Sequence, residues 1–110
     1  MHLRTLAQLR NGLADGEFSS RELMETLLAR IDSHQETLNA FVTVTADAAL
    51  AQADVADASR AAGNGGPLSG LPIVHKDLFC TKGVRTTCGS RILSDFVSPY
   101  DAAVVTRLEE

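Results

Sequence analysis

The sequence predicts an α/β segment, the first part of a mixed sheet covered by helices. Three observations lead there. Helical periodicity dominates residues 1–62, and inside it Phe41-Val42-Thr43-Val44-Thr45 is a short β-branched, alternating run. Further on, Leu71 to Phe79 is apolar with little alternation, the pattern of a strand buried on both faces. Strands at 41–45 and 71–79 are too few to cover one another, so the sheet is expected to be incomplete in this chain.

From Leu3 to Ala14, Leu6, Leu9 and Leu13 recur at spacings of three and four and predict a short helix ending at Asp15-Gly16. Ser19-Ser20-Arg21-Glu22 is a capping box that opens a second helix, with Leu23, Leu27, Leu28 and Ile31 on its inner face and a stop expected near Ser33 to Gln35. Ala46 to Ala62 is an alanine-rich third helix with Leu50, Ala53, Val55 and Ala56 inward and Gly63 after its end. Gly63-Asn64-Gly65-Gly66-Pro67 is a flexible break. Its glycines lack the Lys-Ser/Thr and the following helix of a phosphate loop. After the apolar run, Thr81 to Ser90 is rich in Gly, Thr, Cys and Ser, and Ser98-Pro99-Tyr100-Asp101 predicts a helix start with proline in the first turn. Ala102, Val105 and Leu108 carry that helix's apolar face, and Thr106 to Glu110 contains no stop signal. Two glutamates at a helix C-terminus oppose the macrodipole, so a continuation is expected. Residues 1–110 are read as an incomplete N-terminal part of a single domain. Residues 1–62 are mainly helical with a strand near 41–45, and 63–110 begin the core.

Composition narrows the function. The 110 residues are 45% hydrophobic and 22% charged, with a formal charge of −4. Acidity and scattered arginines argue against a nucleic-acid surface, which needs a clustered basic face. No apolar run has the length of a membrane span, and the first 20 residues lack the pattern of a signal peptide, so a cytoplasmic location is expected. Cys80 and Cys88 fit neither a redox pair nor a zinc knuckle and are read as free thiols. With His75 they would offer a metal only three ligands, and no metal site is expected.

Lys76 is the residue that asks for a chemical explanation, because it sits inside the apolar run. A buried lysine is rare unless its charge is managed, and burial disfavours the charged form, which is how a lysine becomes able to accept a proton near neutral pH. His75 alternates onto the opposite face, where a packed role is the simpler reading. Asp77 is expected to hydrogen-bond the following loop, while Lys82 and Arg85 are read as loop charges and His2 and His34 as solvent-facing.

Gly70-Leu71-Pro72-Ile73-Val74-His75-Lys76-Asp77, then Cys80 to Ser90, resembles the lysine segment of the amidase signature family, and Ser98 to Val105 resembles the family's next segment. The resemblance spans the whole chain, is specific from Gly70 to Ser90, and is looser before Gly63. Among family members the wording is most similar to the glutaminase subunits of tRNA-dependent amidotransferases. It implies the N-terminal portion of the amidase-signature fold and a serine nucleophile, a second serine in a cis peptide, and a lysine relaying protons through it. Lys76 matches that lysine as charge relay and general base. Neither serine is matched here, so Ser90, Ser94 and Ser98 are not candidates, and the 110 residues alone are expected to be inactive. The resemblance further implies glutamine as substrate, partner subunits B and C in a heterotrimer, misacylated tRNA handled mainly by B, and ATP with magnesium used by the complex. No cofactor is expected on this segment. A free-standing amidase for small amides, and a non-catalytic binding module, are the alternatives.

Overall fold

The computed structural model describes residues 1–109. The chain divides after Pro72 into two compact units, Met1–Pro72 and Ile73–Glu110. The first holds α1 (Leu6–Ala14), α2 (Ser20–Leu38) and α3 (Ala46–Ala61), and the second holds α4 (Ala103–Glu109).

Helix α1 begins three residues later than the leucine spacing predicts, because Thr5 caps it. The Thr5 hydroxyl accepts from Gln8 N–H at 3.3 Å and the Gln8 side chain accepts from Thr5 N–H at 2.8 Å. At α2 the expected capping box is present, with Ser19 Oγ accepting from Glu22 N–H at 3.0 Å and Glu22 Oε2 accepting from Ser19 N–H at 2.8 Å. A side chain from α3 completes that helix end. Asp57 accepts from Ser20 N–H at 2.8 Å and from Arg21 N–H at 3.0 Å, so all four N–H groups that α2 cannot bond internally have partners. Arg21 adds surface ion pairs to Asp54 and Glu25.

The core of this unit is Leu13, Phe18 and Leu23, with Leu9, Leu27 and Leu71 packed against it. Phe18 precedes the cap and Leu23 lies one turn into α2, the placement of a hydrophobic staple. Gly12 permits the approach of α1, since a Cβ there would stand 2.4 Å from Phe18 Cε1. Helix α2 runs past its expected stop to Leu38 and ends on Asn39 in the left-handed conformation, φ 45°. Helix α3 closes as expected around Gly63, with Asn64 N–H donating to Ser59 O and Gly63 N–H to Arg60 O, both at 2.9 Å, in a Schellman arrangement. Ala53 is buried, but Val55, expected inward, is 69% exposed. Two residues from both Ala53 and Asp57, it projects from the far side of the helix. The end of the unit is tied back by Ser20 Oγ donating to Gly70 O at 2.8 Å and by Arg60 donating to Ser69 O.

The expected strands do not form, and among the described residues the regular structure is helical, with a single antiparallel bridge between Arg85 and Val97. At 41–45 the reason is local. The Gln35 side-chain amide donates to Phe41 O at 2.6 Å and accepts from Phe41 N–H at 3.2 Å, taking the place of a neighbouring strand. At 71–79 no regular structure forms through Lys76 and the chain then turns, and among the described residues no strand ladder pairs with it; its one backbone bond from a distant segment is Cys88 N–H to Asp77 O at 2.8 Å. An extended run becomes a strand only with a partner's N–H and C=O groups beside it.

In the second unit, residues 80–86 run antiparallel to 96–102. Ala102 N–H donates to Cys80 O at 2.7 Å, Ser98 N–H to Val84 O at 3.3 Å and Thr86 N–H to Phe96 O at 3.0 Å. This pairing delays the last helix, which begins at Ala103 instead of near Ser98. Residues 98–102 are held out of the helix by a bend at 99–100, with Ser98 Oγ donating to Tyr100 O at 2.6 Å and Asp101 accepting from Lys82 N–H at 2.6 Å. Val105 is the buried residue of α4, while Leu108, expected on the same face, is 39% exposed.

Two stability outcomes arise from the first unit. Gly12→Ala should destabilise the protein by about 1–3 kcal/mol despite alanine's better helix propensity, because the buried Phe18 ring must move. Thermal unfolding against the wild type checks this. Asp57→Ala should cost about 1–2 kcal/mol in denaturant unfolding by orphaning two helix-end donors, and Asp54→Ala, which loses a surface ion pair, about 0–1 kcal/mol.

Candidate active site

Lys76 ends the apolar run's irregular stretch because its own carbonyl closes the next turn. It accepts from Leu78 N–H at 2.7 Å and Phe79 N–H at 3.0 Å. The side chain is exposed, and so are Ile73, Val74, Leu78 and Phe79 around it. The burial expected for Lys76 is therefore not present within this chain. The apolar residues that flank it are the material of a covered strand, but none of the described residues covers them.

The residue after it is held on two sides. Asp77 Oδ1 accepts from Thr87 N–H at 2.8 Å, Oδ2 accepts from Thr87 Oγ1, and the Asp77 carbonyl accepts from Cys88 N–H at 2.8 Å. Gly89 N–H donates in turn to Thr87 Oγ1 at 3.1 Å. Thr86 and Thr87 are buried, and Cys88 adopts φ 52°, a left-handed conformation uncommon outside glycine. The bonds from the Thr87 hydroxyl and then its N–H hold the Asp77 carboxyl below its ordinary value, helped by Gly89 N–H and the Arg85 charge and opposed by burial. The loop hydrogen bond expected of Asp77 is thus present. Its partner Thr87 carries no signal in the sequence, since a contact across ten residues of loop leaves no periodicity.

The remaining sequence candidates are dispersed. His75 is half-buried, and Lys82, Arg85, His2 and His34 are exposed, as expected. Cys80 and Cys88 are free thiols, with Cys80 Sγ 3.8 Å from Tyr100 Oη. Ser98 is buried with its hydroxyl committed to the Tyr100 backbone, and Ser90 Oγ accepts from Ile92 N–H at 3.2 Å. Among the described residues no three His, Cys, Asp or Glu side chains converge on a possible metal position, and no helix is long and apolar enough to cross a membrane. Among the described residues Lys76 stands exposed on a turn closed by its own carbonyl.

The family model described as Amidase matches residues 22–110. The chain belongs to the amidase family. Among amidase-family relatives it is similar to the A subunit of the glutamyl-tRNA(Gln) amidotransferase of Azotobacter vinelandii, 65% identical over 108 residues that make up 98% of this chain and 22% of the relative. The subunits of the same name from Pseudomonas fluorescens and Alkalilimnicola ehrlichii are each 56% identical, over 98% and 100% of this chain and 22% and 23% of theirs. The chain therefore spans between a fifth and a quarter of the length of these relatives. Two solved structures, from work on a vestigial protein complex and the evolutionary origins of an s-triazine catabolic enzyme, superpose with a TM-score of 0.90 at 37% identity, over 96% of this chain and 24% of theirs. One of the two is an inhibitor-bound complex. The apolar run before Lys76, which has no strand partner among the described residues, fits a portion of a larger amidase fold.

The lowered carboxyl of Asp77 has a pH signature. Its folded value lies below its ordinary 3.8, so its contribution to stability is complete above that value and is lost as pH falls through the folded one. In equilibrium unfolding followed from pH 7 to pH 2, wild type and Asp77→Asn should therefore differ most near neutrality and converge in acid, below about pH 4.

Proposed function

We propose that this chain is the N-terminal part of the A subunit of a glutamyl-tRNA(Gln) amidotransferase, and that Lys76 is its catalytic lysine. The observation that carries the reading is the 65% identity to a protein of that name over 98% of this chain. In the proposed reaction the subunit hydrolyses glutamine and releases ammonia, which the complex uses with ATP to convert misacylated Glu-tRNA(Gln) to Gln-tRNA(Gln). Partner subunits B and C, and the handling of tRNA mainly by B, belong to the same proposal.

Within that reaction the residues on this chain do one job. Lys76 Nζ accepts a proton relayed through the second serine from the nucleophilic serine and later returns it. Neither serine has a counterpart among residues 1–110, so the chain alone has no nucleophile for Lys76 to activate. A free-standing amidase of the same family acting on small amides is the second reading.

Lys76→Ala in the complete subunit, assembled with its partners, should reduce ammonia release from glutamine by at least about a thousandfold while leaving the thermal transition in place. Near wild-type release would remove Lys76 from the mechanism. Glutamine-dependent amidation that requires the B subunit supports the amidotransferase, whereas hydrolysis of simple amides without any partner supports the second reading.

A further inference from the structure

We infer that Asp77 is a positioning residue for Lys76, acting through its hydrogen bonds with Thr87. The inference rests on the assignment of Lys76 as the catalytic lysine. A lysine side chain has four rotatable bonds, and its Nζ can be aimed reproducibly only if its backbone is fixed. Three contacts supply this. The Lys76 carbonyl closes the turn with Leu78 and Phe79, the Asp77 carbonyl receives Cys88 N–H at 2.8 Å, and the Asp77 carboxylate receives both donors of Thr87. The peptide that follows the Lys76 Cα is thereby bonded at its own oxygen and at both polar ends of the next residue.

The anchor at the other end is firm. Thr87 is 4% exposed and follows Thr86, whose N–H donates into the antiparallel pairing at Phe96. Its hydroxyl accepts from Gly89 N–H at 3.1 Å and donates to Asp77, so the bonds run in one direction from the loop backbone to the carboxylate. An ionised carboxylate only accepts, which fixes that direction. Asparagine offers one acceptor oxygen where aspartate offers two, and valine has threonine's shape without its donor. Each change therefore removes one hydrogen bond of the clamp and leaves the Lys76 side chain itself unaltered.

The test uses the complete subunit with its partners, measuring kcat and KM for glutamine well below the thermal transition of each variant. Thr87→Val and Asp77→Asn should each lower kcat tenfold or more at unchanged KM, and Thr87→Ser, which keeps the donor, should retain the greater part of kcat. If Thr87→Val fails to fold, Asp77→Asn alone decides. A purely structural role would lower the thermal transition and leave kcat of the folded enzyme untouched, so retained kcat overturns the inference. A loss shared equally by Thr87→Ser also overturns it, since the methyl packing and not the hydrogen bond would then be responsible. Retained activity in Lys76→Ala would instead defeat the underlying assignment.

Discussion

The start of α2 depends on a carboxylate that belongs to another helix. A helix leaves its first N–H groups without internal partners, and near a core that deficit must be met by side chains. Ser19 and Glu22 meet half of it, and Asp57 meets the rest from 37 residues away along the chain. Because Asp57 sits on α3, capping α2 also sets the register of the two helices. That register places Ser20 beside Gly70, where φ 81° and a would-be Cβ 3.0 Å from Ser20 leave room for glycine alone. Leu71 then reaches the core beneath.

The same chemistry recurs in the second unit at a different scale. Asp77 has no helix to cap, yet its carboxylate collects an N–H and an O–H from one buried threonine and so joins two loops. In both units a single aspartate replaces an absent stretch of regular hydrogen bonding. The device suits a segment rich in turns, where few backbone groups find ladder partners. Carboxylates are also the acceptors whose bonds to N–H groups are strongest, so one residue holds what would otherwise take a longer pairing. At Phe41 the neutral amide of Gln35 does the equivalent, and there it satisfies the backbone of a run whose composition favours a strand.

Local signals in the residues are followed closely by the fold where short-range physics decides them. The Ser19–Glu22 capping box, the end of α3 at Gly63 and the inward placement of Leu13, Leu23 and Ala53 are all legible, since each depends on neighbours within about a turn. The two strands that do not form share one cause. Val42, Val44, Ile73 and Val74 have the composition of strands and remain exposed, because a strand exists only in relation to another strand. The start of α4 is displaced in the same way by pairing between 80–86 and 96–102, a contact that no local window contains.

The sequence by itself determined the amidase kinship through the stretch from Gly70 to Ser90, the helical character of residues 1–62 and the identity of Lys76 as the residue to explain. The tertiary structure alone decided that Asp57 caps α2, that Thr87 clamps Asp77 and that the run before Lys76 finds no strand partner among the described residues. The difference is one of range. Caps, periodicity and motif wording are written in residues a few positions apart, whereas hydrogen-bond partners 10 or 37 residues away are chosen only when the chain closes on itself.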